Sequence, residues 1–521
     1  MDYLIKPLLD MEEYNDILQQ LNKDKELNTP SQLVISGPSD SQKVHLAWAI
    51  SKHLGRKAIF ITYNEMQARL VYEDFCYFTG DKAVLFPSKE TIYYDIEAKS
   101  NDTIYSRIDA IDRIINNDYS IIITSIDALS SKLISRELFI DCTLEIDNGS
   151  IIDIQHLTER LSVMGYERAD VVEGKGQFAV RGGIIDIFIV NRDEPVRIEL
   201  FGDEVDSIRT FDVITQRSVE RLEQVRILPA REIICPMDIR NKVITNIRND
   251  LNSYISQLKR KKSAEYIKQL KTSIEYDIER FENSFYFPGM ERYTSYVVDK
   301  ASNLADYTSS EHLVFMDELV RINQRMENII LEHHEMCKSL LEKGRMLPQN
   351  IDILFSYEDI CKKLDNMQRI YFNTILHNQQ GSNEDIQKFN LQNMAENTNT
   401  YSIACKQNPS YYGFFELLVN DLKEWKRRRN RILIMAGTKA RGEKLRDNLL
   451  ADGIEAVYND SVNSLIPGNI IITQGSLNNG FQYPLIGFVV ISEREVFGSD
   501  KKRRKSSRRK SKGIDINFFT D

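Results

Sequence analysis

The chain has 521 residues, 42 % apolar and 28 % charged, with a formal net charge of −9. That is too long for one hydrophobic core and fits several ordinary globular domains. No apolar run approaches the roughly 18–20 residues that a membrane-spanning helix needs. The acidic, amphipathic start "MDYLIKPLLDMEEYNDIL" is unlike a signal peptide. The six scattered cysteines (Cys76, Cys142, Cys235, Cys337, Cys361, Cys405) show no C-x-x-C pair, which disfavours a disulfide framework and a zinc site and predicts a reducing cytoplasm.

In chain order, residues 1–145 alternate short apolar runs with helical patterns. "QLVISG", "KAIFITY", "KAVLFP" and "YSIIITSIDAL" read as strands, with helices between them from about Gln42 to Leu54, over "NEMQARLVYEDFCYF" and over "TIYSRIDAIDRII". The rhythm predicts a parallel sheet covered on both faces. Residues 146–235 change character. After the helical "DIQHLTERLSVMGY" come "QFAVRGGIIDIFIV", "EPVRIELFGDEVDSIRTFD" and "VERLEQVRILPA", with period-two alternation and glycine turns, as in an inserted antiparallel sheet. Residues 236–385 return to helices, with one strand expected in "EHLVFMDEL" (311–319), and the polar 378–400 reads as a linker. A second small α/β domain is expected over 386–497. The run 498–521 contains "KKRRKSSRRKSK" (501–512), and without its nine positive charges the rest of the chain carries −18 rather than −9. Such a run can make weak phosphate contacts or meet an acidic partner, and it can equally be a solvated linker.

The stretch "SGPSDSQKV" lies where a phosphate-binding loop belongs, between a strand and a helix. A working loop reads G-x-x-x-x-G-K-[ST], in which the second glycine admits the phosphates, the lysine reaches them and the hydroxyl holds Mg²⁺. Gly37 and Lys43 are in place, but Gln42 stands for the second glycine and Val44 for the hydroxyl. A Cβ at position 42 would crowd a backbone that glycine adopts freely. The strand–loop–helix layout therefore predicts a degenerate nucleotide site. Asp317 and Glu318 in "VFMDEL" look like the acidic pair that holds Mg²⁺ in helicase-type ATPases, and they are also simply two acids at a strand end. The adjacent histidines of "EHHE" (332–335) point about 100° apart on a helix and make a poor metal pair. No Ser/His/Asp or Cys/His arrangement marks a catalytic centre, so no catalytic and no metal-binding residue is assigned.

In the strand "PVRIELF", alternation sends Val196, Ile198 and Leu200 inward and Arg197, Glu199 and Phe201 outward. Arginine beside an exposed aromatic suits a protein interface, and a neighbouring strand could bring Arg181 of "VRGG" alongside. An exposed charge pair with a stray phenylalanine fits the pattern as well.

Residues 174–220, "GKGQFAVRGGIIDIFIVNRDEPVRIELFGDEVDSIRTFDVITQRSVE", strongly resemble the inserted domain shared by the excision-repair protein UvrB and the bacterial transcription-repair-coupling factors, and "FYFPGMERYTSY" (285–296) resembles the segment before their acidic strand. UvrB implies an intact phosphate loop and a long tyrosine-rich hairpin. Here the loop is degenerate, and "TIYYDIEAKSNDTIYSRIDAI" is too short for that hairpin. The stretches "SYYGFFELLVNDLKEWKRRRNRILIMAGTKARGEKLRDNLL" and "ISEREVFGSDKKRRKSSRRK" resemble the small α/β domain and basic linker that follow in coupling factors. The resemblance therefore favours the coupling-factor family across the whole chain.

It implies a multidomain α/β fold: a degenerate P-loop (RecA-like) parallel-sheet domain begun in 1–145 and continued in 236–385, an inserted antiparallel α+β domain in 146–235, and a second small α/β domain in 386–497. It also implies docking of UvrA through Arg181, Arg197 and Phe201, with Gly37, Gln42, Lys43, Val44, Asp317 and Glu318 as a site that no longer uses nucleotide. In such a factor ATP and Mg²⁺ belong to a DNA-translocating motor elsewhere, and RNA polymerase and double-stranded DNA are engaged beyond residue 521, so this chain is expected to be a cytoplasmic, non-enzymatic binding module, ending where a polymerase-binding domain would begin. The alternative is a UvrB-type damage-recognition ATPase.

Overall fold

The computed structural model describes residues 1–27, 30–89, 100–259, 262–298, 301–374 and 398–498. Residues 91–99 of the stretch too short for the hairpin (91–111), residues 378–397 of the linker (378–400) and the whole basic run at 501–512 lie outside the described residues.

In chain order, the strands β1 (Gln32–Ser36), β2 (Ala58–Thr62), β3 (Ala83–Phe86) and β4 (Ile121–Ser125) come first. Next are β5 (Leu144–Asp147), β6 (Glu167–Arg168), β7 (Gln177–Arg181), β8 (Ile184–Ile187), β9 (Val196–Phe201), β10 (Glu204–Phe211), β11 (Ser218–Leu222) and β12 (Gln224–Ile227). Then β13 (Leu313–Asp317), β14 (Gln368–Asn373) and β15 (Asn399–Ser402) precede β16 (Lys406–Gln407), β17 (Arg431–Met435), β18 (Val457–Tyr458), β19 (Ile470–Thr473), β20 (Phe481–Tyr483) and β21 (Phe488–Ile491).

The described residues form two compact units. The larger takes in Glu12–Pro38 and Lys43–Ile403. Its main sheet has the order β15-β1-β14-β13-β2-β4-β3, parallel throughout. The inner strands are β-branched and aromatic runs buried on both faces, as a helix-covered parallel sheet requires. Two of its strands escape periodicity. β14, "QRIYFN", lies between β1 and β13, inside a stretch whose pattern predicted helices with one strand only. Its buried polar ends, Gln368 and Arg369, mask the apolar run; the Gln368 amide donates to the Leu21 carbonyl at 3.0 Å. β15, "NTYS", is a polar edge strand recruited by backbone pairing with β1, and its first two residues fall in the expected linker.

The inserted segment forms a six-stranded sheet, β11-β10-β9-β8-β7-β6, antiparallel except for the short β6–β7 pair, while β12 leaves it to pair with β5. Its inward residues Phe178, Ile185, Ile187, Val196, Ile198 and Ile208 join one continuous core with Ile59, Ile61, Ile122 and Met316 of the main sheet. The helices Met237–Leu258 and Ala264–Asn283 form a second core with Phe287, Met290, Tyr293 and Leu347.

The smaller unit takes in Met1–Met11, Ser39–Gln42 and the described chain from Ala404 onward. Its sheet order is β16-β20-β21-β17-β19-β18, with β17, β18, β19 and β21 parallel and β16 and β20 antiparallel at one edge. The helices Phe415–Arg427 and Lys439–Ala451 share a core with it through Leu418, Leu422, Leu445 and Leu449. The fold is thus multidomain α/β, with parallel, antiparallel and mixed sheets.

Candidate partner-docking surface

β7 and β8 pair with Arg181 opposite Ile184, and β9 and β10 pair with Phe201 opposite Glu204, so each hairpin closes over two residues. The turns are Gly182–Gly183 and Gly202–Asp203. Gly182 (φ 60°) and Gly202 (φ 64°) take the left-handed backbone that such tight turns demand at their first central position. Because β8 runs antiparallel between β7 and β9, both turns lie at the same end of the sheet. That places Arg181 and Phe201 at one rim, with Arg197 four residues in from Phe201 on the same outward face.

The two arginines share one carboxylate. Asp186, directly opposite Arg197 in the β8–β9 register, is buried. Arg181 Nη2 donates to Asp186 Oδ2 at 2.6 Å, while Arg197 donates from Nε to Oδ1 at 2.6 Å and from Nη2 to Oδ2 at 2.9 Å. This fork fixes the Arg197 plane. Gln216, a non-glycine residue at φ 58° in the turn after β10, accepts from Arg197 Nη2 at 3.0 Å, and the guanidinium lies over the buried Phe211 ring at 4.4 Å. Hydrogen bonding to Asp186 holds the Arg197 pKa above the ordinary arginine value despite desolvation. The Arg197 side chain is only 15 % exposed, that of Arg181 is 48 % exposed, and Phe201 is 83 % exposed with no apolar cover. The face thus presents a pre-oriented guanidinium, a second half-free guanidinium and a bare phenyl ring. Sequence reasoning named those three and missed Asp186 and Gln216. Asp186 had a signal, an aspartate inside the β-branched run "GGIIDIF", where strands disfavour it unless it has a partner. Gln216 had none, because its role depends on how the turn folds back.

The degenerate loop is also assembled. Gly37 follows β1 at φ 105°, and a Cβ there would come within 2.3 Å of the Ile403 carbonyl oxygen. Its lack of a side chain admits the close approach of the chain after β15. Gln42 lies in the first turn of the helix Asp40–His53 and is absent from the positive-φ residues, so the expected backbone crowding at this position does not arise. Gln42 Oε1 accepts from the Ser39 amide at 3.2 Å and from Ser39 Oγ at 2.8 Å. Val44 is fully buried.

Lys43 is 2 % exposed, with Nζ at 2.6 Å from both Asp317 Oδ1 and Glu318 Oε1. Burial alone would lower the Lys43 pKa, but the two carboxylates outweigh it and raise the value. Burial likewise pushes Glu318 up, and Lys43 together with hydrogen bonds from the Thr374 amide and hydroxyl brings it below the ordinary carboxylate range. Glu318 sits at φ 58°, a strained conformation for its side chain, held by its amide on the Phe372 carbonyl at 2.9 Å. Nothing in the sequence pointed to Thr374. Of the two histidines, His333 is buried with Nε2 at 2.7 Å from the Ile351 carbonyl, and His334 is exposed; they do not share a face.

Residues 144–233, from β5 to just beyond β12, match the family model for the UvrB interaction domain. The chain is 31 % identical over 480 residues to the transcription-repair-coupling factor of Bacillus subtilis (strain 168), covering 92 % of this chain and 39 % of that protein. It is 27 % identical over 487 residues to the transcription-repair-coupling factor of Staphylococcus epidermidis, with the same coverage, and 26 % identical over 492 residues to that of Staphylococcus aureus (strain USA300), covering 94 % and 40 %. The chain spans about two fifths of the length of the curated relatives it matches.

Proposed function

Starting from a chain that carries a UvrB interaction domain and is related over 92 % of its length to transcription-repair-coupling factors, we propose that it docks UvrA and brings nucleotide excision repair to RNA polymerase stalled at DNA lesions. The observation that carries this reading is the outward face of β7–β9, where one buried carboxylate orients two arginines beside a bare phenylalanine. Burial of a planar guanidinium and an aromatic ring is how protein interfaces concentrate binding energy. In this reading the chain is a binding module. RNA polymerase, double-stranded DNA and ATP-driven translocation belong to the wider family.

We also infer that the loop at 37–44 holds no nucleotide. ATP would have to displace Lys43 from two carboxylates, open the Gln42–Ser39 contact and bind Mg²⁺ without a hydroxyl at position 44. The residues present do not fit the phosphates. Calorimetry with Mg-ATP tests this: binding that disappears in Lys43→Ala would restore the ATPase alternative.

The docking reading is tested by titrating UvrA with the chain and with Arg181→Ala, Arg197→Ala and Phe201→Ala. Anchor residues should each cost about 2 kcal/mol or more of binding free energy. Wild-type affinity in all three would remove the assignment.

A further inference from the structure

The register of the inserted sheet aligns more arginines than the docking reading uses. Arg197 of β9 stands directly opposite Arg209 of β10, and Arg209 stands directly opposite Arg221 of β11. On the other side Arg197 faces Asp186 of β8. Residues opposite one another in antiparallel strands share a face, with Cβ atoms only about 4.5–5.5 Å apart. The outward face therefore carries a row of three guanidiniums across three neighbouring strands, closed at one end by a single carboxylate, with Arg181 joined to that carboxylate from the rim.

Like charges directly opposite one another destabilise a sheet. Little in the protein offsets them. Asp186 is taken by Arg181 and Arg197. Among the described residues Arg209 makes one ion pair, Nη2 to Glu199 Oε2 at 3.4 Å, and both side chains are about one-third or more exposed. Glu199 also accepts from Ser207 Oγ at 2.7 Å. Arg221 lies on the exposed edge strand and, among the described residues, has no acidic side chain within ion-pairing distance. Four arginines thus meet three carboxylates on this face, Asp186, Glu199 and, at the rim opposite Phe201, Glu204, within a chain whose net charge is −9. The repulsion has a use if an anionic surface settles on the row.

We propose that the docking face extends from Arg181 and Arg197 along this ladder to Arg209 and Arg221, and that it takes an acidic protein surface of UvrA whose carboxylates sit over the row. The proposal rests on the docking reading above and goes beyond it, since Arg209 and Arg221 are not among the residues the family resemblance assigns. A protein fits better than a nucleic-acid backbone. Phe201, an apolar anchor that a phosphate chain would leave bare, stands on the same face at the rim, and Asp186, Glu199 and Glu204 punctuate the face with negative charge.

The experiment measures association and dissociation of UvrA on the full chain at two salt concentrations, with Arg209→Gln, Arg221→Gln and Arg221→Glu beside Arg197→Ala and Phe201→Ala. Each glutamine variant should lose about three- to tenfold in affinity, mostly through a slower on-rate, with a shallower salt dependence. Arg221→Glu should lose more. The thermal stability of Arg209→Gln and Arg221→Gln should be unchanged or raised, because the row is relieved, and this separates a docking role from a structural one. Wild-type binding by Arg209→Gln and Arg221→Gln, with losses in Arg197→Ala and Phe201→Ala, would overturn the ladder and leave the docking reading standing. Wild-type binding by all five variants would remove both. If the ladder variants keep UvrA but lose a double-stranded oligonucleotide, the surface is a nucleic-acid site and the proposal is wrong.

Discussion

Replacing Lys43 with methionine keeps the volume and removes the charge that two carboxylates enclose. At 2.6 Å, and with an effective dielectric of about 20, each contact is worth about 6 kcal/mol of Coulomb attraction. Desolvation opposes this by several kcal/mol per ion, so the intact cluster adds little net stability. Deleting only the cation leaves the opposing costs in place. Asp317 stays buried beside Glu318, and the expected loss is about 3–5 kcal/mol. For a unit of this size that lowers Tm by about 4–6 °C.

The pH dependence gives a sharper test. In the wild type, the depressed Glu318 pKa contributes stability that is present above its unfolded value of 4.5 and fades as pH falls through the folded value. The raised Lys43 pKa contributes stability that is complete below 10.5 and fades as pH climbs through the folded value. Neither varies between pH 5.5 and 7.5. In Lys43→Met the orphaned carboxylates repel and are desolvated, so their pKa values rise and stability grows as pH falls. Thermal melts of both proteins at pH 5.5 and 7.5 should show the gap narrowing at the lower pH, and Lys43→Met/Asp317→Asn should recover part of the loss. A variant within about 1 kcal/mol of wild type at both pH values would refute the reasoning.

Asp186→Ala frees Arg181 and Arg197 and, on the proposed docking role, should weaken UvrA binding about tenfold or more while costing roughly 2–3 kcal/mol of fold stability; Asp186→Asn should fall between, because its amide oxygen still accepts one hydrogen bond. Surface plasmon resonance and urea melts read the two effects. Gly37→Ala places a methyl against the Ile403 carbonyl at a φ of 105° and should cost about 3 kcal/mol or more, seen as a lower urea midpoint. A shift under about 0.5 kcal/mol would contradict the close approach. Glu232, buried with Arg107 and Lys89, has its pKa raised by burial but pulled down more strongly by those two cations, to about 2. Its stabilisation is present above 4.5 and is lost as pH falls towards about 2, so Glu232→Gln should flatten the acid limb of a pH–stability curve and cost about 3 kcal/mol at neutral pH.

Much of the outward face that carries Arg197 and Phe201 was legible because strand alternation is a local property. In "PVRIELF" every second residue must face the same way, so Arg197 and Phe201 had to share a face whatever the rest of the sheet did. The glycine turns "RGG" and "FGD" were legible for the same reason, since a two-residue hairpin needs backbone that glycine supplies cheaply. What lay beyond reach depended on register and distant contacts. Nothing local says that β14 runs between β1 and β13, because its polar ends find partners far away in the chain. The helix starts two residues earlier than its pattern predicts, at Asp40, so Gln42 takes a helical backbone that needs no glycine.

The sequence by itself determined the alternating faces, the presence of Gln42 and Val44 where a phosphate-binding loop carries glycine and a hydroxyl, and the family model that the inserted segment matches. Each follows from residue type at short spacing. Only the tertiary structure decided that Lys43 is sealed between Asp317 and Glu318, that one buried aspartate holds two arginines, and that three arginines stand in one row across β9, β10 and β11. These are encounters between residues far apart in sequence or on separate strands. Strand register and burial set them, and neither is written in any short stretch of chain.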